Sequence, residues 1–334
     1  MSDLEILTSQ SSKQNVLIVG DVMIDSYAWG SVDRISPEAP VPIVAVNRRE
    51  DRLGGAANVA LNLQALGARP IMCTVLGNDD KAKDFMALMK EKQMSTEGII
   101  CSDDRVTTVK FRILGNNVQL LRVDEETTKP LQPKDEDALV LKVKQILGSN
   151  DVNAIIFQDY DKGNITPRII KEITAEARKR NIPTTVDPKR RNFDEFCDVT
   201  LFKPNLKELG DGLGMDVKDA DVAVLKKAAD VLHERQNIDI VFITLSERGA
   251  FLCDYRGKEP RTILVPAHLR SISDVSGAGD TVISVATLCL SLGLDAESII
   301  SFSNLAGGIV CESVGVVPIG KERFYKELES INKT

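Results

Sequence analysis

The stretch Asp274-Val275-Ser276-Gly277-Ala278-Gly279-Asp280 decides the fold, because it joins a glycine-rich turn to a long apolar segment. Residues 281–290 are apolar on nearly every side, and they predict a buried helix that ends at Gly293. The free N–H groups at the start of that helix suit a phosphate or a developing anion. Asp280 lies in the first turn, where its carboxylate can take a proton from an attacking hydroxyl. The alternative is an ordinary loop in which Asp280 only offsets the helix dipole.

Length and composition place the chain among globular proteins with one large or two ordinary domains. It has 334 residues, 43% of them hydrophobic, and a net charge of −7. That charge gives no general attraction to nucleic acid or to an anionic membrane. Six scattered cysteines without a C-x-x-C pair, and only two histidines, favour reduced thiols in a cytoplasmic protein and argue against a zinc centre. The polar residues 1–14 predict a flexible tail rather than a signal peptide, and no apolar run is long enough to span a membrane.

The first strand and the first helix each carry polar residues that can face a ligand. Residues 16–20 form a short apolar run typical of a central parallel strand, and Asp25 follows its carboxyl end, where ligands bind in open α/β sheets. Gly54 and Gly55 open a helix over residues 56–66 and let a ligand approach the backbone closely. Asn58, in the first turn of that helix, can reach the same ligand. Turn and capping roles are the alternative for these residues.

Two segments interrupt the strand–helix rhythm and predict a small β lid. Residues 27–50 contain three prolines and no room for a crossover helix, so we expect an extended excursion from the main sheet. Within residues 105–125, two alternating strands flank a hairpin turn at Gly115-Asn116-Asn117 and carry a basic face with Lys110, Arg112 and Arg122. That face can either hold a phosphate or be solvated.

From residue 131 onward, strand and helix patterns alternate regularly. Parallel strands are predicted near residues 154–158, 184–188, 201–204 and 239–245, with two antiparallel edge strands before the opening motif. The alternation predicts an α/β fold, a doubly wound and mostly parallel sheet with helices on both faces. No linker divides residues 15–330, which we expect to form one domain.

Several of these stretches together resemble one family. Their order is that of the ribokinase-like (PfkB) sugar kinases, although Val275 stands where that family usually has threonine. The stretches that carry the resemblance are residues 54–58, Asn205-Leu206-Lys207-Glu208, residues 244–249 and residues 274–280. The resemblance covers about residues 15–320, and it implies a ribokinase-like carbohydrate kinase that uses ATP and Mg²⁺.

A closer resemblance points to a substrate. The runs Arg34-Ile-Ser-Pro-Glu-Ala-Pro-Val-Pro42 and Asp159-Tyr-Asp-Lys-Gly163 are similar to the kinase part of D-glycero-β-D-manno-heptose 7-phosphate kinases. This resemblance implies ATP-dependent phosphorylation of the heptose 7-phosphate at O1, giving the 1,7-bisphosphate for ADP-heptose and lipopolysaccharide core synthesis. Those enzymes are often fused to a nucleotidyltransferase. Because the sequence stops at Thr334, we expect a stand-alone kinase followed by a separate phosphatase and adenylyltransferase.

The resemblance also implies roles for individual residues. Asp280 would be the general base, and the N–H groups of Gly277, Ala278 and Gly279 would stabilise transition-state charge. Asn205 and Glu208 would organise Mg²⁺, directly or through water. The residues expected near ATP are Asn205, Leu206, Lys207, Glu208, Thr244, Ser246, Gly249 and Asn304. The residues expected near the sugar are Asp25, Gly54, Gly55 and Asn58. By charge and placement, the candidates for holding the substrate phosphate are Lys110, Arg112, Arg122 and Lys189.

Other functions stay open at this point. One is another kinase of the same fold, acting on fructose phosphate, ribose or a nucleoside; another is a non-catalytic sugar-phosphate-binding protein. A Rossmann dehydrogenase is a weaker alternative, because no G-x-G-x-x-G follows the first strand. A potassium ion near the 274–280 motif is a further option. Because a flap with an exposed apolar face often pairs with a second copy of the chain, we expect a homodimer.

Overall fold

In the computed structural model, residues 1–116, 118–218, 221–268 and 270–331 are described. The chain forms, in order, α1 (Asp3–Gln10), β1 (Asn15–Gly20), β2 (Val22–Ile35), β3 (Pro42–Gly55), α2 (Ala56–Ala65), β4 (Arg69–Gly77), α3 (Asp80–Glu91), β5 (Gly98–Ser102), β6 (Val109–Gly115), β7 (Val118–Glu125), α4 (Pro133–Ser149), β8 (Val152–Gln158), α5 (Pro167–Lys179), β9 (Thr184–Asp187), β10 (Leu201–Phe202), α6 (Leu206–Leu213), α7 (Val222–Gln236), β11 (Ile240–Thr244), β12 (Ala250–Asp254), β13 (Arg261–Val265), α8 (Ala278–Ser291), α9 (Ala296–Val310) and α10 (Lys321–Ile331).

The main sheet has nine strands in the order β13-β12-β11-β10-β9-β8-β1-β4-β5. The strands from β11 to β5 run parallel, and β12 and β13 add an antiparallel edge, as the sequence predicts. Alternate residues of β1 enter different cores: Val16 and Ile18 pack with α2, α8 and α9, whereas Leu17 and Val19 pack with α4 and α5. Helices therefore cover both faces, and the carboxyl ends of the parallel strands share one edge.

A second sheet of four strands, in the order β3-β2-β6-β7, forms the lid. Strand β2 begins at Val22, directly after β1, and β3 ends at Gly55, directly before α2, so the lid is inserted between the first strand and its helix. The pairing of β2 with β6 is parallel, and the other two pairings are antiparallel. At the predicted hairpin turn, Asn116 has φ 51°, and Asn117 lies outside the described residues.

Residues 1–14, for which the sequence predicts a flexible tail, contain helix α1 (Asp3–Gln10). Ser2 and Glu5 form a capping box at the start of α1, which satisfies backbone N–H groups that would otherwise lack a partner. Leu7 is fully buried in the same core as Phe324 of α10. The segment is therefore anchored by one apolar side chain, although most of its residues are polar.

Within the described ranges, no helix is both long enough and apolar enough to cross a lipid bilayer.

The sequence interpretation did not identify helices α7 and α10 or strand β5. The buried side chains of α7 include Leu225, Ala228 and Leu232, which recur at helical spacing. That periodicity is the signal that could have revealed this helix.

Candidate active site

The glycine-rich stretch forms the turn that starts α8. Gly277 precedes the helix with φ 79°, in the left-handed region that glycine adopts without strain. The N–H of Ala278 lies 3.3 Å from the carbonyl oxygen of Val275, so the turn itself engages one of the three predicted amides. A Cβ on Gly279 would lie 3.6 Å from Nζ of Lys203 and 3.7 Å from Oδ2 of Asp187, which places the buried Lys203–Asp187 ion pair beside the start of the helix. This end of α8 combines helix-start amides with a lysine and suits an anion.

Three side-chain donors hold the buried Asp280 carboxylate at this helix start. Asn58 donates to Oδ2 at 2.8 Å, the Tyr160 hydroxyl donates to Oδ1 at 2.6 Å, and Gln158 Nε2 lies 3.2 Å from Oδ1. Burial raises the pKa of Asp280 to about 6, against the opposing hydrogen bonds from Asn58 and Tyr160. The carboxylate is therefore ionised at neutral pH, and its pKa is close enough to neutrality for proton transfer.

A second buried carboxylate, Asp187, lies behind Asp280. Lys203 pairs with Asp187 Oδ1 at 3.0 Å, and Gln158 Nε2 donates to Asp187 Oδ2 at 3.0 Å, so one amide bridges the two carboxylates. Burial opposes ionisation of Asp187, but the charges of Lys203 and Lys189 outweigh it and lower its pKa. Among the described residues, the buried oxygens Oε1 of Gln158 and Oδ1 of Asn58 have no hydrogen-bond partner. They are free to accept from a polar ligand.

The loop after β8 carries Tyr160, a site residue that sequence reasoning missed. Fully buried Asp21 accepts the backbone N–H groups of Tyr160, Lys162 and Asn164 at 2.9, 3.0 and 2.9 Å. A Cβ on Gly163, where φ is 92°, would lie 2.0 Å from the Lys129 carbonyl oxygen, so this turn requires glycine. The Asp159–Gly163 run contributed to the resemblance, but only the structure reveals its contact with Asp280.

The segment that joins β10 to α6 carries the predicted metal residues and several of the predicted nucleotide residues. Asn205 Oδ1 accepts the N–H of Glu208 at 2.8 Å, and Glu208 Oε2 accepts the N–H of Asn205 at 2.9 Å, which makes a capping box at α6. The other carboxylate oxygen of Glu208 bonds to Lys189. Leu206 packs against the core, and Lys207 is exposed. The first turn of α6 is thus fixed before any ligand binds.

The donor set at Asn205 and Glu208 fits a hydrated magnesium ion. Both side chains already make hydrogen bonds, and no group of three His, Cys, Asp or Glu able to hold a metal occurs in the described part of the chain. Magnesium retains several waters and commonly meets only one or two protein oxygens, so a contact through water matches this arrangement.

The remaining predicted nucleotide residues meet near the end of β11. Thr244 bridges to Asn205 as an isolated parallel pair, which places this edge beside the start of α6. Ser246 has φ 53°, and a Cβ on Gly249, where φ is 95°, would lie 2.0 Å from the Val265 carbonyl oxygen. Asn304 donates to the carbonyl oxygen of Pro266, the residue that follows Val265, at 2.9 Å. The fold brings these residues to one edge, and their contact with ATP stays a prediction.

The predicted sugar residues meet where the lid joins the main domain. Asp25 on β2 is only 3% exposed, and its Oδ1 accepts from Arg112 at 2.6 Å. A Cβ on Gly54 would lie 2.1 Å from Asp25 Oδ2, and Gly55 takes φ 59° immediately before α2. Asn58 follows in the first turn of α2 and reaches Asp280, which connects the lid base to the start of α8.

The four cations predicted to hold a substrate phosphate do not form one cluster. Lys110 is paired with both Asp124 and Glu126, and Arg122 is paired with Asp124. Lys189 lies with Glu208, and its Nζ is 5.7 Å from the centre of the Tyr160 ring. Lys110 pairs with Asp25 through the strand backbone, but among the described contacts of the four it is the side chain of Arg112 that bonds to this predicted sugar residue.

A cation that sequence reasoning missed lies on the same face as Arg112. The guanidinium groups of Arg52 and Arg112 lie 5.1 and 5.2 Å from the centre of the Tyr27 ring. Tyr27 stacks on Trp29, with Arg48 3.8 Å from the centre of the Trp29 ring. Arg52 is also paired with Glu50 on the same strand, at 2.5 Å, whereas its aromatic neighbour Tyr27 lies on β2, which sequence reasoning could not foresee.

The fold and the site together define a sugar kinase of the ribokinase-like class. The sequence pattern described as "pfkB family carbohydrate kinase" matches residues 13–321. The chain belongs to this family.

Two bacterial proteins with the same name are similar to this chain over more than nine tenths of its length. The chain is 38% identical over 315 residues to the "Bifunctional protein HldE" of Methylobacillus flagellatus, a match that covers 94% of this chain and 63% of that protein. It is 37% identical over 310 residues to the protein of the same name from Wolinella succinogenes, with 93% and 64% covered. The chain therefore spans a little under two thirds of the length of these relatives.

Solved structures support the fold. Escherichia coli phosphofructokinase-2, in its tetrameric inhibited form, matches with a TM-score of 0.75 and 17% identity over 95% of this chain and 99% of the other. Arabidopsis thaliana ribokinase, complexed with ribose and ATP, matches with a TM-score of 0.69 and 17% identity over 94% and 98%. At this identity the likeness concerns the fold alone, and it confirms the predicted ribokinase-like α/β class.

Proposed function

We propose that this protein transfers the γ-phosphoryl group of ATP to the anomeric O1 of D-glycero-D-manno-heptose 7-phosphate. The product would be the 1,7-bisphosphate, a precursor of ADP-heptose and of the lipopolysaccharide core. The substrate assignment is supported by the resemblance at residues 34–42 and 159–163 and by relatives named HldE. The observation that carries the chemistry is the Asp280 carboxylate, held by three donors at the start of α8.

The proposed reaction needs positioning and charge stabilisation more than covalent catalysis. Asp280 takes the proton from the attacking sugar hydroxyl, which then attacks the γ-phosphorus in line with the leaving oxygen. The N–H groups of Gly277 and Gly279 stabilise the charge on the transferred group, with Lys203 near Gly279. Asn58 and Tyr160 keep the carboxylate oriented.

Glu208 and Asn205 would hold Mg²⁺ through its waters, and the bound ion would neutralise charge on the phosphates. Lys189 bonds to Glu208 and faces Tyr160, so we assign it to the ATP phosphates rather than to the substrate phosphate.

A potassium ion near the 274–280 motif is a further proposal. Activity in potassium chloride compared with sodium chloride at equal ionic strength tests it.

For the substrate phosphate, we assign Arg112 and Arg52 in place of Lys110 and Arg122. Arg112 bonds to the predicted sugar residue Asp25, and Arg52 lies on the same aromatic ring. Arg122 bonds to Asp124 through two nitrogens, and Lys110 bonds to both Asp124 and Glu126, whereas Arg112 and Arg52 each use one nitrogen on a carboxylate, that of Asp25 or of Glu50. A phosphate has most to gain where a guanidinium is only partly engaged, because Arg offers several donors to an oxyanion.

The substrate proposal is tested with purified protein, ATP, Mg²⁺ and synthetic heptose 7-phosphate, with the phosphorylated position read by phosphorus NMR. A new anomeric phosphate is expected. Preferred phosphorylation of fructose 6-phosphate or another hexose phosphate would contradict the heptose assignment and favour a different sugar kinase.

The phosphate subsite is tested with Arg112→Ala and with Arg122→Ala as its matched control. Loss of Arg112 should raise KM for both sugars, because it also removes the bond to Asp25, and the increase should be about tenfold larger for heptose 7-phosphate than for the dephosphorylated heptose. Arg122→Ala should leave both values near those of the parent protein. An equal change in KM for the two sugars would exclude Arg112 from the phosphate subsite.

We also propose a homodimer formed through the outer face of the lid sheet. That face bears a groove of about 390 Å³ whose apolar lining includes Val109, Phe111, Ile113 and Val123. A second copy of the chain would cover Phe111, Ile113 and Val123, whereas Val109 is already buried. Light scattering of the parent protein and of Phe111→Glu tests this proposal: the parent should be dimeric and the variant monomeric, and a monomeric parent would refute the dimer.

We also propose that a separate phosphatase and a separate adenylyltransferase use the product, and that the protein is cytoplasmic.

A further inference from the structure

We propose that Tyr160 is a positioning residue for Asp280, and that its hydroxyl fixes the carboxylate in the orientation that accepts the sugar proton. The inference rests on the proposed role of Asp280. It adds a residue that lies in the β8 loop, 120 positions earlier in the chain than the carboxylate it controls.

The first support is the geometry of the contact. The Tyr160 hydroxyl lies 2.6 Å from Oδ1 of Asp280, the shortest of the three hydrogen bonds to that carboxylate. Asn58 holds the other oxygen, Oδ2, at 2.8 Å. Because both oxygens have donors, the plane of the carboxylate cannot rotate without breaking a charge-assisted hydrogen bond.

The second support is the anchoring of the loop. Asp21, fully buried at the end of β1, accepts three backbone N–H groups of residues 160–164. Neighbouring Asp159 is also fully buried and accepts from Asn192 at 2.9 Å. Both oxygens of Asp21 serve the backbone, so this carboxylate acts on the site only by fixing the loop that carries Tyr160. The Lys189 ammonium, 5.7 Å from the centre of the Tyr160 ring, also contacts this side chain.

The third support is electrostatic. The hydrogen bond from Tyr160 lowers the pKa of Asp280 and so counteracts part of the increase that burial causes. The charged groups that face Asp280 from the other elements are Asp187, which raises its pKa, and Lys203, which lowers it. Lys189 also lies within electrostatic reach of Asp280. Removing only the Tyr160 hydroxyl would leave these charges in place and shift the pKa of Asp280 upward.

The test compares Tyr160→Phe with Tyr255→Phe. Tyr255 is a matched control, because its hydroxyl also bonds to an aspartate, Asp230, at 2.8 Å in another part of the fold. For Tyr160→Phe, the acid limb of the kcat/KM profile should move up by about one pH unit. Plateau kcat should fall about tenfold, and KM for ATP should stay within twofold. Tyr255→Phe should change none of these values.

A measurement without substrate separates this inference from the proposed function. Carbon-13 carboxyl NMR follows the titration of Asp280 in the full chain, and its pKa should rise in Tyr160→Phe even if the heptose proves to be the wrong substrate. Replacing Tyr160 by a fluorinated tyrosine, a stronger donor of similar shape, should lower the pKa of Asp280. This second variant keeps the test available if Tyr160→Phe does not fold. An Asp280 pKa that stays unchanged in the variant that folds would overturn the inference.

Discussion

Gly54→Ala perturbs the sugar site through one added methyl group. In the parent structure, a Cβ at this position would lie 2.1 Å from Oδ2 of Asp25, whereas real Cβ atoms essentially never come within 3.0 Å of such an atom. Asp25 must therefore move by roughly an ångström, and its 2.6 Å bond to Arg112 must lengthen or break. A displacement of about 1 Å in a positioning group can cost about 100-fold in rate, equivalent to about 2.7 kcal/mol.

Steady-state kinetics with each substrate varied in turn measure this effect. We expect kcat/KM for the sugar to fall about 100-fold and KM for ATP to stay within twofold. Gly148→Ala is the matched control, because a Cβ there would meet no atom within 4 Å, and it should leave both constants unchanged. If Gly54→Ala retained sugar kcat/KM within a factor of about two, Asp25 would not contact the sugar.

Three further predictions concern protonation, metal and folding. Asp280 must be ionised to accept a proton, so activity should fall as pH decreases through about 6 rather than through the ordinary 3.8; an acid limb below pH 5 would contradict this. Glu208→Gln should raise the magnesium concentration for half-maximal rate about tenfold, and an unchanged magnesium titration would exclude Glu208 from the metal site. Leu7→Ala should reduce the free energy of unfolding by about 3 kcal/mol in urea titrations without changing kcat, whereas unchanged stability would mean that α1 is not anchored.

The main architecture could be predicted because its signals are local. The apolar run at residues 16–20 and the glycine turn before α8 each identify their element from neighbouring residues alone. The three prolines of residues 27–50 likewise excluded a helix and predicted the inserted lid. Helix α1 was missed although its capping box is visible in Ser2 and Glu5, because one buried leucine gives too weak an apolar pattern.

Partners in the site could not be predicted, because they depend on which side chains the sheet edge brings together. Tyr160 and Asp280 come from different strand ends, and their contact follows from the parallel order of the sheet and from the anchoring of the loop by Asp21. Lys189 looks like a free basic residue in the sequence, yet it bonds to Glu208. Arg52 was overlooked for the same reason, since its aromatic neighbour lies on β2.

The most direct test of the central claim is a single-turnover measurement on Asp280→Asn. Asparagine has nearly the same shape and can still accept the Tyr160 hydrogen bond, but it cannot take a proton. Rapid quenching with radiolabelled ATP should show phosphoryl transfer slowed about 1,000-fold, with ATP binding unchanged. Transfer within about tenfold of the parent rate would contradict the assignment of Asp280 as the proton acceptor.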